Sequence, residues 1–135
     1  MAKPAIASLE PQLRSILRMV VGFLYSLHGF QKLFGMFGGL GGKGARAEIL
    51  SMMGAAGVLE TVGGLLILVG LFTRPVAFIL AGQMAVAYFM AHFPRGFWPI
   101  QNGGELAGLY CFIYLWLVAA GPGPLSLDRL IGRKV

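Results

Sequence analysis

The sequence predicts an all-α membrane protein: one domain, residues 1–135, built as a bundle of four transmembrane helices with both termini in the cytoplasm. Three observations carry that prediction. Hydrophobic residues make up 57% of the 135 residues and charged residues only 12%, about half the share a soluble domain uses to cover its surface. Mean hydropathy is +0.77. The apolar residues gather into four runs, 16–34, 52–72, 76–92 and 106–120, none of which alternates with a period of two. The same figures exclude disorder, which needs low hydrophobicity. They also argue against a small barrel, whose strands alternate.

Each run is read as a helix because lipid leaves no partner for an open sheet edge. At a rise of about 1.5 Å per residue, the first two reach about 28–31 Å, the thickness of a hydrocarbon core. The third and fourth are shorter, and span only if their flanks sit in the interface. The first run is too long for a signal-peptide core and ends without a small-residue cleavage site, so it is expected to remain as a helix. Residues 35–46 are a glycine-rich loop. Thr73, Arg74 and Pro75 read as a tight turn. Residues 94–104 hold two prolines and three glycines. Pro122 and Pro124 stop the fourth helix, since proline cannot donate a helical N–H. Beyond them, Ser126 or Asp128 could cap a short amphipathic turn on the membrane, and residues 3–14 could lie in the interface too.

The net charge is +6. In a soluble protein that would suggest nucleic acid. Here the basic residues flank apolar runs, so no nucleic-acid partner is expected and the lipid bilayer is. Four spans put both termini on one side with Lys3, Arg14, Arg18, Arg74, Arg129, Arg133 and Lys134, against Lys32, Lys43, Arg46 and Arg95 on the other. The positive-inside rule assigns the richer side to the cytoplasm. Glycines within the runs, and the pair Gly104 and Gly108, predict close helix packing in a tight bundle or a homo-oligomer.

Familiar soluble motifs fail. Residues 39–44 fit G-x-G-x-x-G as a string but lack the preceding strand that the dinucleotide fingerprint needs. The lone cysteine, Cys111, excludes an intramolecular disulfide or a cysteine-rich metal site, and reads as an apolar filler. No metal is expected.

Ionisable groups inside spans are expensive and mark function. His28, Gln31 and Lys32 share one face near the outer end of the first helix. Glu60 lies roughly 12 Å into the second span, among the small residues Gly57, Gly63 and Gly64. His92 closes the third span, and Asn102 and Glu105 stand at the mouth of the fourth. Gln83 lies nearer the middle. The four-span topology gathers His28, Gln31, Lys32, Glu60, His92, Asn102 and Glu105 into the outer half, as a polar pocket. Each has a plainer reading: Lys32 can snorkel to the interface, His92 and Glu105 suit helix boundaries, and Glu60 with Lys32 could be a structural pair. A carboxylate at that depth must be paired with Lys32 or His28, or be protonated. His28 and His92 could also hold a haem, on the weak ground of two lone histidines.

The chain resembles the DoxX family of small bacterial membrane proteins. The resemblance rests on Leu27-His28-Gly29-Phe30-Gln31-Lys32-Leu33-Phe34-Gly35 and Leu59-Glu60-Thr61-Val62-Gly63-Gly64-Leu65-Leu66. It continues through Val69-Gly70-Leu71-Phe72-Thr73-Arg74, through His92 and residues 94–98, and through Gly121-Pro122-Gly123-Pro124-Leu125-Ser126-Leu127-Asp128-Arg129. It covers residues 17–130. It implies a four-helix bundle in the bacterial inner membrane, acting as a subunit of an oxidoreductase or oxidative-stress complex. On that resemblance, His28, Lys32, Glu60 and His92 would hold a quinone headgroup or the proton path beside it. With one cysteine and no flavin motif, the chain would depend on a redox-protein partner for electrons. Two alternatives stay open: a non-enzymatic anchor or assembly factor, and a small-molecule transporter, which would need broken helices or an inverted repeat.

Overall fold

The computed structural model describes residues 4–134, so Lys3 lies outside the described residues. Among them the chain is helical, with a single isolated bridge between Leu40 and Ala45 in the glycine-rich loop. Four long helices follow in order: α1 (Glu10–Phe34), α2 (Met52–Val69), α3 (Thr73–Arg95) and α4 (Glu105–Ala120). A short α5 (Leu127–Leu130) ends the fold.

Local chemistry explains the ends. A 3₁₀ turn, Ala5–Leu9, leads straight into α1, so Glu10 to Arg14 are continuous with the first helix. Pro11 is tolerated there because first-turn N–H groups have no helical partner. Ser51 caps α2 by accepting from the Gly54 N–H at 3.0 Å. At its far end Gly70 takes φ +72°, and the N–H groups of Leu71 and Gly70 return to the carbonyls of Leu66 and Ile67, a Schellman closure. Thr73, Arg74 and Pro75, expected as a turn, form the first turn of α3. The reversal is completed earlier, by Gly70 and Phe72, and Pro75 fits because an N-terminal turn needs no N–H from it.

The helices pair as α1 on α2 and α3 on α4. The first pair is close. A methyl on Gly22 would collide with the backbone of Gly64 and Leu68, and one on Gly29 with Thr61. Gly104 packs on the Tyr88 ring, whereas Gly108 faces open space. The core between the pairs is formed by Tyr25, Ile67, Leu80, Tyr114, Leu117 and their neighbours.

Outward faces are apolar: Phe78 is 65% exposed and Phe112 72%. Two helices, α2 and α3, are long and apolar enough to cross a membrane, and α4 is a shorter apolar helix. α1 has the length, at 25 residues, but carries Glu10, Arg14, Arg18 and Lys32.

At one end of the molecule three arginines cap helix C-termini. Arg18, completely buried, donates from Nη1 to the carbonyls of Ile67 and Leu68, from Nε to Pro122 at 2.8 Å, and from Nη2 to Leu125. Arg74 donates to Val118 and Ala119, and Arg14 to Ala120. The carbonyls of Ile67, Leu68 and Val118 to Ala120 are in the last turns of their helices, where a helix leaves carbonyls unsatisfied and a cation also opposes the helix dipole, while those of Pro122 and Leu125 belong to the irregular segment after α4. Asp128 acts in the opposite sense at the start of α3, accepting from the N–H groups of Phe72 at 2.8 Å and Thr73 at 2.9 Å. Ser126, not Asp128, caps α5, accepting from Arg129 N–H at 3.3 Å. The start of α1, the α2–α3 turn and the chain after α4 are thus tied together at this end.

Candidate functional site

Glu60 sits in a π turn, Leu59–Gly63, within α2. The wider turn is a departure from α-helical pairing that often accompanies functional positions. It is buried, 4% exposed, against the last turn of α1. There Lys32 Nζ donates to Glu60 Oε2 at 2.6 Å, with the Lys32 side chain 16% exposed. The other carboxylate oxygen, Oε1, accepts from Gln83 Nε2 of α3 at 3.2 Å. Gln83 Oε1 in turn accepts from the Tyr25 hydroxyl of α1 at 3.0 Å. A continuous chain therefore runs Lys32–Glu60–Gln83–Tyr25 and joins α1, α2 and α3.

α4 closes it with aromatic rings. Tyr110 and Tyr114 meet the Tyr25 ring edge-to-face, with centroids 4.9 Å and 5.1 Å away. His28 lies edge-on to Tyr110 at 6.3 Å. The buried hydroxyls of Tyr114 and Thr61 find no hydrogen-bond partner among the described residues. The pair is accommodated because Gly57, beneath Lys32 and Leu33, has no side chain: a Cβ there would lie 2.9 Å from Leu33 Cδ2 and 3.1 Å from Lys32 Cβ.

His92 and Asn102 form a second cluster. It lies at the other π turn, Tyr88–His92, near the end of α3. His92 Nδ1 is 3.2 Å from the Asn102 carbonyl. Asn102, 1% exposed, donates to the Gly96 carbonyl at 2.9 Å and accepts from the Gly104 N–H at 2.8 Å, closing the loop between α3 and α4. The two histidines considered for haem thus belong to different clusters. Gln31 is half-buried and makes no side-chain hydrogen bond among the described residues. Glu105 is exposed, belongs to neither cluster, and lines a groove of about 820 Å³ between α3 and α4 with Met84, Tyr88, Phe89, Gly108 and Phe112. The seven residues expected in one pocket are therefore divided: Lys32 and Glu60 in contact with His28 nearby, His92 with Asn102, and Glu105 and Gln31 apart. Among the described residues no three His, Cys, Asp or Glu side chains converge as a metal site would need.

Sequence reading missed Tyr25 and the two tyrosines of α4. The signal existed: Tyr25, His28 and Lys32 are spaced i, i+3, i+7, one helical face, and Tyr110 and Tyr114 are spaced i, i+4. Their apolar rings make them look like ordinary core.

Long apolar helices, outward faces of exposed Phe, Leu and Ile, and a charged pair confined to the interior define an integral membrane protein. The chain belongs to the DoxX family, whose family model matches residues 13–93. A Haemophilus influenzae protein described only as uncharacterized is 43% identical over 93% of this chain and 95% of its own length. Two Escherichia coli proteins named as inner membrane proteins, YphA and YqjF, are 27% and 28% identical. YphA matches over 89% of this chain and 91% of its own length, and YqjF over 88% and 92%. No solved structure matches the chain significantly.

Proposed function

We propose that this chain is a multi-pass subunit of a bacterial inner-membrane oxidoreductase or oxidative-stress complex, with four spans, both termini in the cytoplasm, and a quinone-type site at the Lys32–Glu60 cluster. The observation that carries the reading is the buried Lys32–Glu60 pair, wired through Gln83 to Tyr25. Desolvating two charges costs several kcal/mol per ion, and apolar side chains of similar volume would clamp α1 to α2 without that penalty. Ionisable residues at membrane depth most often serve a proton or ligand path.

In this reading Lys32 holds a carbonyl oxygen of the ring with an ammonium N–H, and Glu60 exchanges the proton. Gln83 does not titrate; its amide fixes one carboxylate oxygen, and Tyr25 fixes the amide. A bound quinone would supply two-electron, two-proton chemistry. Electrons come from a redox-protein partner, because the chain offers one cysteine and no flavin motif.

The test is thermal unfolding of the purified chain with increasing quinone analogue. Binding to the folded state raises the midpoint by mass action. The expected result is a saturable rise in the wild type that Glu60→Gln abolishes. A flat midpoint at saturating analogue sinks the quinone site and favours the second reading, a non-enzymatic anchor or assembly factor. One observation supports that alternative: both Glu60 oxygens are already engaged within the protein.

A further inference from the structure

The groove between α3 and α4 is separate from the Lys32–Glu60 chain, and its chemistry changes along its length. Glu105 stands at one end, exposed, and forms no ion pair among the described residues. From Glu105 to Phe112 is seven residues of α4, about 10 Å along the axis. Over that distance the walls become Met84, Phe89 and Phe112, all apolar. A Cβ placed on Gly108 would meet nothing within 4 Å, so the absent side chain leaves the groove open where a Leu would fill it. The volume, about 820 Å³, lies within the range of small-molecule sites.

We propose that this groove is a lateral lipid site selective for a phospholipid whose headgroup ends in a primary ammonium, with the ammonium on Glu105 and an acyl chain along Met84, Phe89 and Phe112. The charge selects the head. An anionic carboxylate at the rim repels anionic heads and accepts hydrogen bonds from a primary ammonium, which a trimethylated head cannot donate. The apolar floor selects the tail, so a soluble amine without a chain gains too little. The site does not depend on the quinone reading.

Cys111 lines the groove and is the sole cysteine, so its thiol reports occupancy. The full-length chain is placed in nanodiscs of dioleoylphosphatidylcholine with or without dioleoylphosphatidylethanolamine. Retained lipid is counted by native mass spectrometry, and Cys111 labelling by an apolar maleimide is timed. The wild type is expected to retain the ethanolamine lipid about fivefold over the choline lipid, as one partly exposed charge-assisted hydrogen bond gives. Labelling should slow accordingly. Glu105→Gln, at an exposed position, loses the preference, and Gly108→Leu retains neither lipid. Soluble ethanolamine leaves labelling unchanged.

Equal retention of the two lipids by the wild type overturns the proposal, as does a preference that survives Glu105→Gln or retention that survives Gly108→Leu. Protection of Cys111 by soluble ethanolamine would overturn the role of the tail. A dimer broken by Gly108→Leu, with no lipid preference, would assign the groove to a second copy of the chain.

Discussion

Lys32 Nζ and Glu60 Oε2 lie 2.6 Å apart although 28 residues separate them in the chain, and they join the last turn of α1 to the π turn of α2. Glu60 is buried and Lys32 largely so, and each is the other's only charged hydrogen-bond partner among the described residues, so the pair must be judged as a unit.

Removing one partner should be far worse than removing both. Lys32→Met alone strands a buried carboxylate and is expected to cost about 3–5 kcal/mol, while Lys32→Met with Glu60→Met should return to within about 1 kcal/mol of wild type or exceed it. Equilibrium unfolding of the three proteins in one detergent checks this. A double variant no better than the single would show that the two side chains do not act as a pair.

Gln83 and Tyr25 extend the unit. Tyr25→Phe removes one neutral hydrogen bond and keeps the ring packing on Tyr110 and Tyr114, so about 1 kcal/mol of stability is expected to go. Gln83→Leu leaves one Glu60 oxygen without a partner and should cost more, about 1–3 kcal/mol. The same unfolding series ranks them, and the reverse order would contradict the hydrogen-bond chain.

The arginine-capped end makes a separate prediction. Arg18→Met strips donors from the carbonyls of Ile67, Leu68, Pro122 and Leu125, and Asp128→Asn weakens the cap on α3. Both should free the segment after Ala120 for proteolysis. Asp128→Asn is expected to cost about 1–2 kcal/mol and Arg18→Met more, since it unsatisfies several buried groups at once. Limited proteolysis in nanodiscs, read by mass, tests it; resistance equal to wild type would refute it.

Glycines of similar appearance should divide by their surroundings. Gly29→Ala meets Thr61 at the α1–α2 contact and must push the helices apart, costing about 1–3 kcal/mol. Gly82→Ala meets nothing within 4 Å on an exposed helical face and should gain about 0.5–1 kcal/mol from helix propensity. Opposite signs in thermal midpoint are the expected result.

Membrane orientation is tested by fusion. With four spans and cytoplasmic termini, a reporter active only in the cytoplasm is expected to work at the C-terminus and fail after Lys43, in the α1–α2 loop. The inverse pattern overturns the assignment.

Much of the fold was legible in the sequence because the hydrophobic runs and their proline and glycine stops are local. Composition alone called for lipid, and depth along the second run made Glu60 a residue that needs a partner. The sequence offered both Lys32 and His28 for that role, and distance chose Lys32. Two features were not legible. The residues near Thr73 read as a turn because the cap that starts α3 there comes from Asp128, 55 residues later. The single outer pocket expected from seven polar residues was divided because helix rotation, which periodicity leaves free for a nearly all-apolar helix such as α4, sends Glu105 outward while Tyr110 and Tyr114 turn in. Hydropathy fixes which segments leave water; only side-chain packing between them determines which polar groups meet, because in lipid a buried charge or carbonyl must find its partner wherever in the chain that partner lies.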